Sequence, residues 1–567
     1  MKVTDYIVEF LISKKVTDIF GYPGGVICHL MDSVAKYPNI INAHLNYHEQ
    51  AAAFAACGYA QEKCSMGVAY STSGPGATNL ITGIANAYFD SIPVMFFTGQ
   101  VDTYSLKEAR NVRQFGFQET DICSMVSSVT KYAVRVDKPE MIAYELEKAY
   151  AMANGGNPGP VVIDLPADVQ RADVDINVLK HFYNDEIVYS ADNAVKIYEL
   201  LKDAKRPCFL IGNGVKQSGM REAINQLIDR LGIPAVFSMP AFDTVAFDNK
   251  YNFGFIGANG HRYANFIIGK SDLIISIGSR LDLKQVGNNR SQFAPNAKII
   301  RIDIDSGNFD LAINDDDVEI VDDIKTLIPK LIGITDNWKK NLCDWNKVCN
   351  SIKNKLAHFD DDSYSALLYE FCKKLMDDCT VTCDVGQSEV WIAQQLEVKE
   401  QQSVHLSAGH GTMGYSLPAA IGAYYANPRT IISFNGDGGI QMNLQEMQFL
   451  ARERIPVKVV VINNHSLGMI RGFQEANFDK KYIHTIENGE YLAPDFSKLA
   501  HAFDIKYQRI ETLEDVRTIS FDNNDPEVIE INIECDTYLN PNFGRNGNIQ
   551  DARPYINREL YDEIMGL

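Results

Sequence analysis

Residues 431–440 read I-I-S-F-N-G-D-G-G-I, and after a helical stretch residues 457–470 read V-K-V-V-V-I-N-N-H-S-L-G-M-I. The apolar run into Gly436-Asp437-Gly438-Gly439 suits a buried parallel strand that ends in a glycine turn. Asn443 and Glu446 have the spacing of a helix-capping pair, and Leu444, Met447, Leu450 and Ala451 share one helical face. Residues 458–463 form the next buried strand, with Asn464 at its carboxyl end. Open α/β sheets bind their ligands beyond such strand ends.

Asp437 offers a carboxylate and Asn464 a side-chain carbonyl, hard oxygen ligands suited to Mg²⁺ beside a phosphate. Gly436, Gly438 and Gly439 let backbone N–H groups approach phosphates at a helix start. A lone G-D-G is an ordinary tight turn. A G-D-G after one apolar strand and an N-N after the next is far more specific.

At 567 residues the chain is too long for one core, and three domains are expected. A hydrophobic fraction of 46% with 22% charged residues is that of an ordinary enzyme. The net charge of −20, from 53 basic and 73 acidic residues, argues against a nucleic-acid surface. No window has the length and apolarity of a transmembrane helix, and the amino terminus opens on an amphipathic pattern. Eleven cysteines without C-x-x-C spacing suggest reduced thiols and a cytoplasmic location.

Residues 1–170 alternate helical and short apolar segments, with Gly-Pro punctuation at 22–25 and 74–76, and close on the proline-stopped strand 160–166. A polar stretch, 171–190, follows as a linker. Residues 191–345 hold strands at 207–211, 273–277 and 298–304, and residues 365–540 carry the G-D-G motif. The tail, 541–567, is rich in Asn, Arg and Pro and lacks a sustained apolar period. Such alternation predicts an α/β protein of three doubly wound, parallel-sheet domains.

Glu49 stands in H-E-Q-A-A-A-F-A-A-C-G-Y-A, where small residues allow close helix packing and a helix-start glutamate suits the dipole. Thr72-Ser73-Gly74-Pro75-Gly76-Ala77-Thr78-Asn79 offers a glycine-lined wall for a flat ring. Gly212-Asn213-Gly214 is a further glycine turn, and Ile277–Asp282 and Arg301–Asp305 follow the same strand-end logic.

Together with Gly21–Gly25, residues 48–53, 117–121, Gly386-Gln387, 411–418 and 463–469, these motifs resemble the acetolactate synthase group of thiamin diphosphate enzymes over nearly the full length. The resemblance implies a pyrimidine-binding domain (1–170), a central domain resembling FAD-binding ones (191–345), a diphosphate-binding domain (365–540) and the tail. It implies thiamin diphosphate, Mg²⁺ and a structural FAD. It also implies a homodimer or homotetramer whose sites lie between chains, Glu49 of one facing Asp437 of the other. By the same resemblance Glu49 activates the cofactor's aminopyrimidine, with Gln118 and Lys131 as further catalytic candidates; His410 is a candidate on its own chemistry, not by the resemblance. Asp437, Asn464 and the Ser466 backbone hold the metal. Gly74, Gln387, Ser388, Met413, Gly436, Gly438, Gly439 and Met469 contact thiamin diphosphate, Met413 as the apolar wedge. Gly212, Arg280, Asp282, Asp303, Ile304 and Asp323 contact FAD, and Gly25, Phe117, Lys284, Ile470 and Phe473 the substrate.

The chain also departs from that pattern. Phe473 takes the place of a tryptophan and Lys284 that of an arginine, losing a bidentate carboxylate fork but keeping a charge. Asn259 replaces a histidine, and His410 replaces an apolar residue and is read as a proton donor to a forming alkoxide. The segment between Gln100 and Phe117 is longer than in the family. The function expected is decarboxylation of a 2-keto acid, pyruvate, and transfer of the two-carbon unit to a carbonyl acceptor such as a keto-sugar nucleotide or other bulky ketone. The alternatives are a true acetolactate synthase, with a second 2-keto acid as acceptor, or a simple decarboxylase or pyruvate oxidase. No nucleic acid or membrane is expected as a partner.

Overall fold

Runs of Val, Ile and Phe bounded by glycine or proline become strands when helices can cover both faces. The computed structural model describes residues 1–108, 110–184, 189–190, 192–521, 523–543 and 547–567, and contains three such sheets of six strands each. The first is ordered β2 (Asn42–Leu45), β1 (Asp18–Gly21), β3 (Gly67–Ser71), β4 (Val94–Gln100), β6 (Val161–Pro166), β5 (Tyr132–Arg135). The second runs β12 (Val318–Val321), β11 (Lys298–Asp303), β10 (Leu273–Ile277), β7 (Pro207–Ile211), β8 (Ala235–Phe237), β9 (Asn252–Phe255). The third repeats the order of the first, with β14 (Ser403–Leu406), β13 (Thr380–Cys383), β15 (Ile431–Gly436), β16 (Val457–Asn463), β18 (Glu527–Asn532) and β17 (Lys506–Ile510). Neighbouring strands are parallel throughout.

Winding reverses between β1 and β3, between β7 and β10, and between β13 and β15. Each reversal opens a crevice beyond the carboxyl ends of the two strands. In the third sheet the register sets Phe434 beside Cys383 and Gly436 beside Ile462, so the turns after β13, β15 and β16 open at one edge.

The first and third sheets are joined by two helices of small residues, Glu49–Lys63 and Ser416–Ala426. Ala51 to Ala56 are fully buried. A Cβ on Gly422 would lie 1.8 Å from the Ala55 carbonyl oxygen, and one on Gly58 would lie 2.1 Å from that of Ala419. Beside this crossing the buried Glu62 carboxylate meets His405 Nε2 at 2.7 Å and Arg429 at 3.0 Å. Burial opposes ionisation there, but hydrogen bonding with His405 and the charge of Arg429 hold Glu62 well below the usual carboxylate range.

Two expectations need correction. Asn443 and Glu446 do not cap a helix: Ile440–Glu446 is a 3₁₀ segment, and Asn443 has non-helical φ/ψ of −135° and 32°. Tertiary partners claim both side chains, since Asn443 Nδ2 donates to Gly414 O (2.8 Å) and Glu446 accepts from Asn46 and Tyr47. The tail is not irregular throughout. It ends in the helix Arg558–Gly566, and Ile549, Ile556 and Ile564 are buried in the central core with Phe266 and Trp345. Only Leu560, Tyr561, Ile564 and Leu567 carry its apolar period, too few to stand out beside the charged residues. The eleven cysteines are free, and among the described residues no helix is long and apolar enough to cross a membrane.

Gly422→Val should destabilise the protein by about 3 kcal/mol or more, because overpacking here meets backbone rather than a movable side chain. Gly472→Ala, on the helix Gly468–Asn477 where a Cβ meets nothing within 4 Å, should be neutral or stabilising. Chemical unfolding midpoints of the two variants check it, and a Gly422→Val protein as stable as wild type would refute so tight a crossing.

Candidate active site

The turns after β13, β15 and β16 build one wall. Asp384, fully buried after β13, accepts from Gly414 N (3.0 Å) and Tyr415 N (3.1 Å) and thereby holds the loop bearing Met413. Only a glycine fits at 439, since a Cβ there would lie 1.9 Å from Asp384 Oδ2. Asp437 Oδ2 accepts from Ser466 N (3.1 Å) and from the Tyr491 hydroxyl (3.0 Å). Asn464 Nδ2 donates to Gln387 Oε1 (2.9 Å) and Thr537 Oγ1 (3.1 Å), which leaves its carbonyl oxygen for a ligand. The next residue, His465, is in the left-handed region at φ 53°, a strained turn of the kind found at ligand sites.

Burial pushes the Asp437 carboxyl up to about 6. Among the described residues no group of three or more His, Cys, Asp or Glu side chains could hold a metal. The donor set here is a carboxylate, an amide oxygen and backbone, which fits Mg²⁺ rather than a softer ion.

A cavity of about 920 Å³ runs from this wall to the central sheet. At one end it is lined by Gln387, Ser388, Met413, Gly436, Asp437, Gly438, Gly439, Asn464, Ser466, Met469 and Ile470. At the other end are Asn213, Gly214, Arg280, Asp282, Asp303, Ile304 and Asp323, all beyond the ends of β7, β10, β11 and β12. Gly212 is not on the wall. It allows the β7 and β10 turns to touch, as a Cβ on it would lie 2.0 Å from Gly278 O. Asp282 and Asp323 also cap helices, accepting from Lys284 N and Lys325 N at 2.8 Å each. Lys284 lines the cavity as well.

The amino-terminal candidates form a separate group. Glu49 opens its helix, is nearly buried, and accepts from Asn79 Nδ2 at 2.9 Å. Gly74 at φ 61° abuts Gln118 at φ 63°. Phe117 beside them is 84% exposed, and Gly25 faces open space. None of these lines the cavity that holds Asp437.

Three further candidates do not line this cavity within one chain. Lys131 does not join Gln118 and Phe117. Its ammonium is spent on the carbonyls of Gly155 and Asn157, clamping a loop at the rim of the cavity near the central sheet. His410 is exposed outside the cavity wall, its ring stacked on Phe89 at 5.1 Å. Phe473 is 58% exposed and packs edge-on against Phe478. Sequence reading also missed Glu389, which lines the cavity at 5% exposure with Oε1 unpartnered. Burial pushes it up to about 8. Its place in the first helical turn after Gly386-Gln387-Ser388 was the available signal.

Comparison with known families agrees with this geometry. Residues 1–125 match the model of the thiamine pyrophosphate enzyme N-terminal TPP binding domain, 195–331 the central domain and 384–531 the C-terminal TPP binding domain. The chain belongs to the thiamine pyrophosphate enzymes. Within that family it is similar to the acetolactate synthase isozyme 2 large subunit of Escherichia coli, 33% identical over 94% of this chain and 96% of the relative. It is likewise similar to the acetolactate synthase large subunit of Lactococcus lactis, 34% identical over 94% of this chain and 93% of the relative. A probable acetolactate synthase large subunit of Methanococcus aeolicus is 34% identical over 100% of this chain and 98% of the relative. The protein is thus a thiamin diphosphate-dependent carboligase of the acetolactate synthase type.

The glycine wall suits the cofactor's diphosphate, and the buried Ser466 hydroxyl, without a partner among the described residues, is a further polar group at that spot. Gly439→Ala should displace Asp384 and, through Gly414 and Tyr415, the Met413 loop. Thiamin diphosphate affinity should fall at least about tenfold, one lost set of aligned contacts. Titration of cofactor by intrinsic fluorescence measures it, and unchanged affinity would show that Asp384 does not set the loop.

Proposed function

We propose that this enzyme decarboxylates pyruvate and joins the two-carbon unit to a second 2-keto acid. The observation that carries the reading is the wall of Asp437, Asn464, Ser466 and Gly436–Gly439 facing Met413 across one cavity, together with near full-length similarity to acetolactate synthases. Thiamin diphosphate, when bound, supplies the electron sink for loss of CO₂. Asp437, Asn464 and the Ser466 backbone would hold Mg²⁺ against its diphosphate, with Gln387 and Ser388 at the same end. The Glu49 carboxylate would share a proton with the ring nitrogen of the aminopyrimidine. The apolar side chains of Met413, Met469 and Ile470 would exclude water from the reacting carbon. The crevice between β7 and β10, with Arg280, Asp282, Asp303, Ile304 and Asp323 around it, favours a structural FAD.

Glu49 and Asp437 line no common cavity in one chain. This supports a homodimer or homotetramer in which a site takes Glu49 from one protomer and Asp437 from its partner. Glu49→Gln should bind cofactor but lose about 10²–10⁴-fold in turnover, as when an acid–base partner is removed. Asp437→Ala should lose cofactor binding. Mixed and exchanged, the two inactive proteins should regain part of the wild-type rate, and hybrids that stay dead in a steady-state assay would refute the shared site.

A second reading, a larger ketone as acceptor, is favoured by Phe473 and Lys284. A phenylalanine leaves more room than a tryptophan, and a lysine grips a carboxylate less rigidly than an arginine. One altered apolar contact discriminates by only about 1–3 kcal/mol, so acetolactate should form from pyruvate alone in either case. With labelled pyruvate and competing cyclic or sugar ketones, wild type should divert part of the label, and Phe473→Trp with Lys284→Arg should return it to acetolactate. Acetolactate alone from wild type with every ketone would leave the first reading and remove the second.

A further inference from the structure

We propose that Glu446 is a positioning residue for Glu49: its carboxylate fixes the turn from which the Glu49 helix starts and ties that turn to the Asp437 loop. The inference rests on the role assigned to Glu49 above. Glu446 is fully buried, and both its oxygens are engaged. Oε2 accepts from Asn46 Nδ2 at 3.0 Å and Oε1 from the Tyr47 backbone N–H at 2.7 Å. These donors occupy the residues just before the helix cap. His48, the cap, accepts from Gln50 N through Nδ1 at 3.1 Å, and Glu49 follows as the first helical residue.

The other end of the link is equally fixed. Glu446 closes the 3₁₀ segment that begins directly after Gly439. Within that segment Gln441 Nε2 donates to Asp437 O at 3.0 Å, and Asn443 Nδ2 donates to Gly414 O, next to Met413, at 2.8 Å. Arg452 adds a brace, donating to Leu45 O (3.0 Å) and to the Tyr47 hydroxyl (3.1 Å). One short segment thus touches the metal loop, the Met413 loop and the Glu49 turn. Because Glu49 and Asp437 of one chain do not share a cavity, this segment is a covalent and hydrogen-bonded path between two half-sites.

General adhesion between the two domains does not need Glu446, since Glu62 with His405 and Arg429 already bridges them. The Glu446 bonds end on the residues that aim Glu49. A displacement of about 1 Å at such a group can cost about 10²-fold in rate.

The variants Glu446→Ala and Glu446→Gln separate positioning from bulk stability. The glutamine keeps one acceptor for Tyr47 N, and Asn46, whose Oδ1 is buried without a partner, can reverse its amide to accept from the new NH₂. Turnover of Glu446→Gln should stay within about threefold of wild type, the scale of one modest hydrogen bond. Glu446→Ala should lose about 10²-fold in kcat, with KM and thiamin diphosphate affinity little changed. Amide hydrogen exchange of the full-length protein without cofactor should rise at residues 47–50 and stay unchanged at residues 55–62. Wild-type kcat in Glu446→Ala, or unchanged exchange at 47–50, overturns the proposal. So does a uniform rise in exchange with kcat falling only as the folded fraction falls. If Glu446→Ala does not fold, Asn46→Ala takes its place and should show the same local exchange with about a tenfold loss in kcat; no change in either overturns the proposal. Full turnover in Glu49→Gln would instead defeat the reading of Glu49, and the exchange pattern would still decide whether Glu446 holds the turn.

Discussion

The crossing of the helices Glu49–Lys63 and Ser416–Ala426 is the constraint on which the catalytic half of the chain depends. Backbones meet where Gly58 and Gly422 lack side chains, and no residue with a Cβ could keep that distance. One helix begins with Glu49, and the other begins just after the Met413 loop. Their separation therefore fixes where the Glu49 carboxylate and the Met413 loop stand relative to the two sheets. Alanines along the interface give little area per residue but lose no side-chain entropy on packing.

Around this frame the protein buries an unusual set of acids. Asp384, Asp437 and Glu446 are each raised by burial, to about 7, 6 and 7. A buried carboxyl is costly unless its oxygens are satisfied. Asp384 and Glu446 are satisfied by backbone and amide donors and so serve as fixed points for loops. Asp437 keeps capacity for an ion, and Glu389 keeps an unpartnered oxygen toward the cavity. The acids differ in how their donors are distributed: Glu446 accepts one bond on each oxygen, whereas Ser466 N and the Tyr491 hydroxyl both meet Oδ2 of Asp437.

The central sheet contributes in another way. Its strand order places the turns after β7 and β10 side by side, and the Gly212–Gly278 contact closes the floor of the crevice. Several carboxylates expected to meet a flavin also cap helices or brace turns, so the wall is rigid before any ligand arrives. The tail packs against the same unit: Arg262 donates to Ala552 O and Pro554 O while pairing with Asp360.

By itself the sequence determined the α/β class and the strands that carry G-D-G and N-N, because strand periodicity and glycine turns are local properties; its motifs also carried the resemblance to the family. It also identified Asp437, Asn464 and Gly439 as neighbours, since adjacent parallel strands bring their carboxyl ends together. Tertiary structure decided what local pattern cannot express. Glu446 looked like a cap and became an interdomain clamp, because Asn46 and Tyr47 arrive from a distant part of the chain. The partners of Lys131 and His410, loop carbonyls for the one and the face of Phe89 for the other, also come from distant parts of the chain. The tail looked irregular and became core, since its few apolar residues gain from burial only when the central helices are there to receive them. Hydrogen-bond donors and apolar surface are indifferent to sequence distance, and their final partners follow from the fold as a whole.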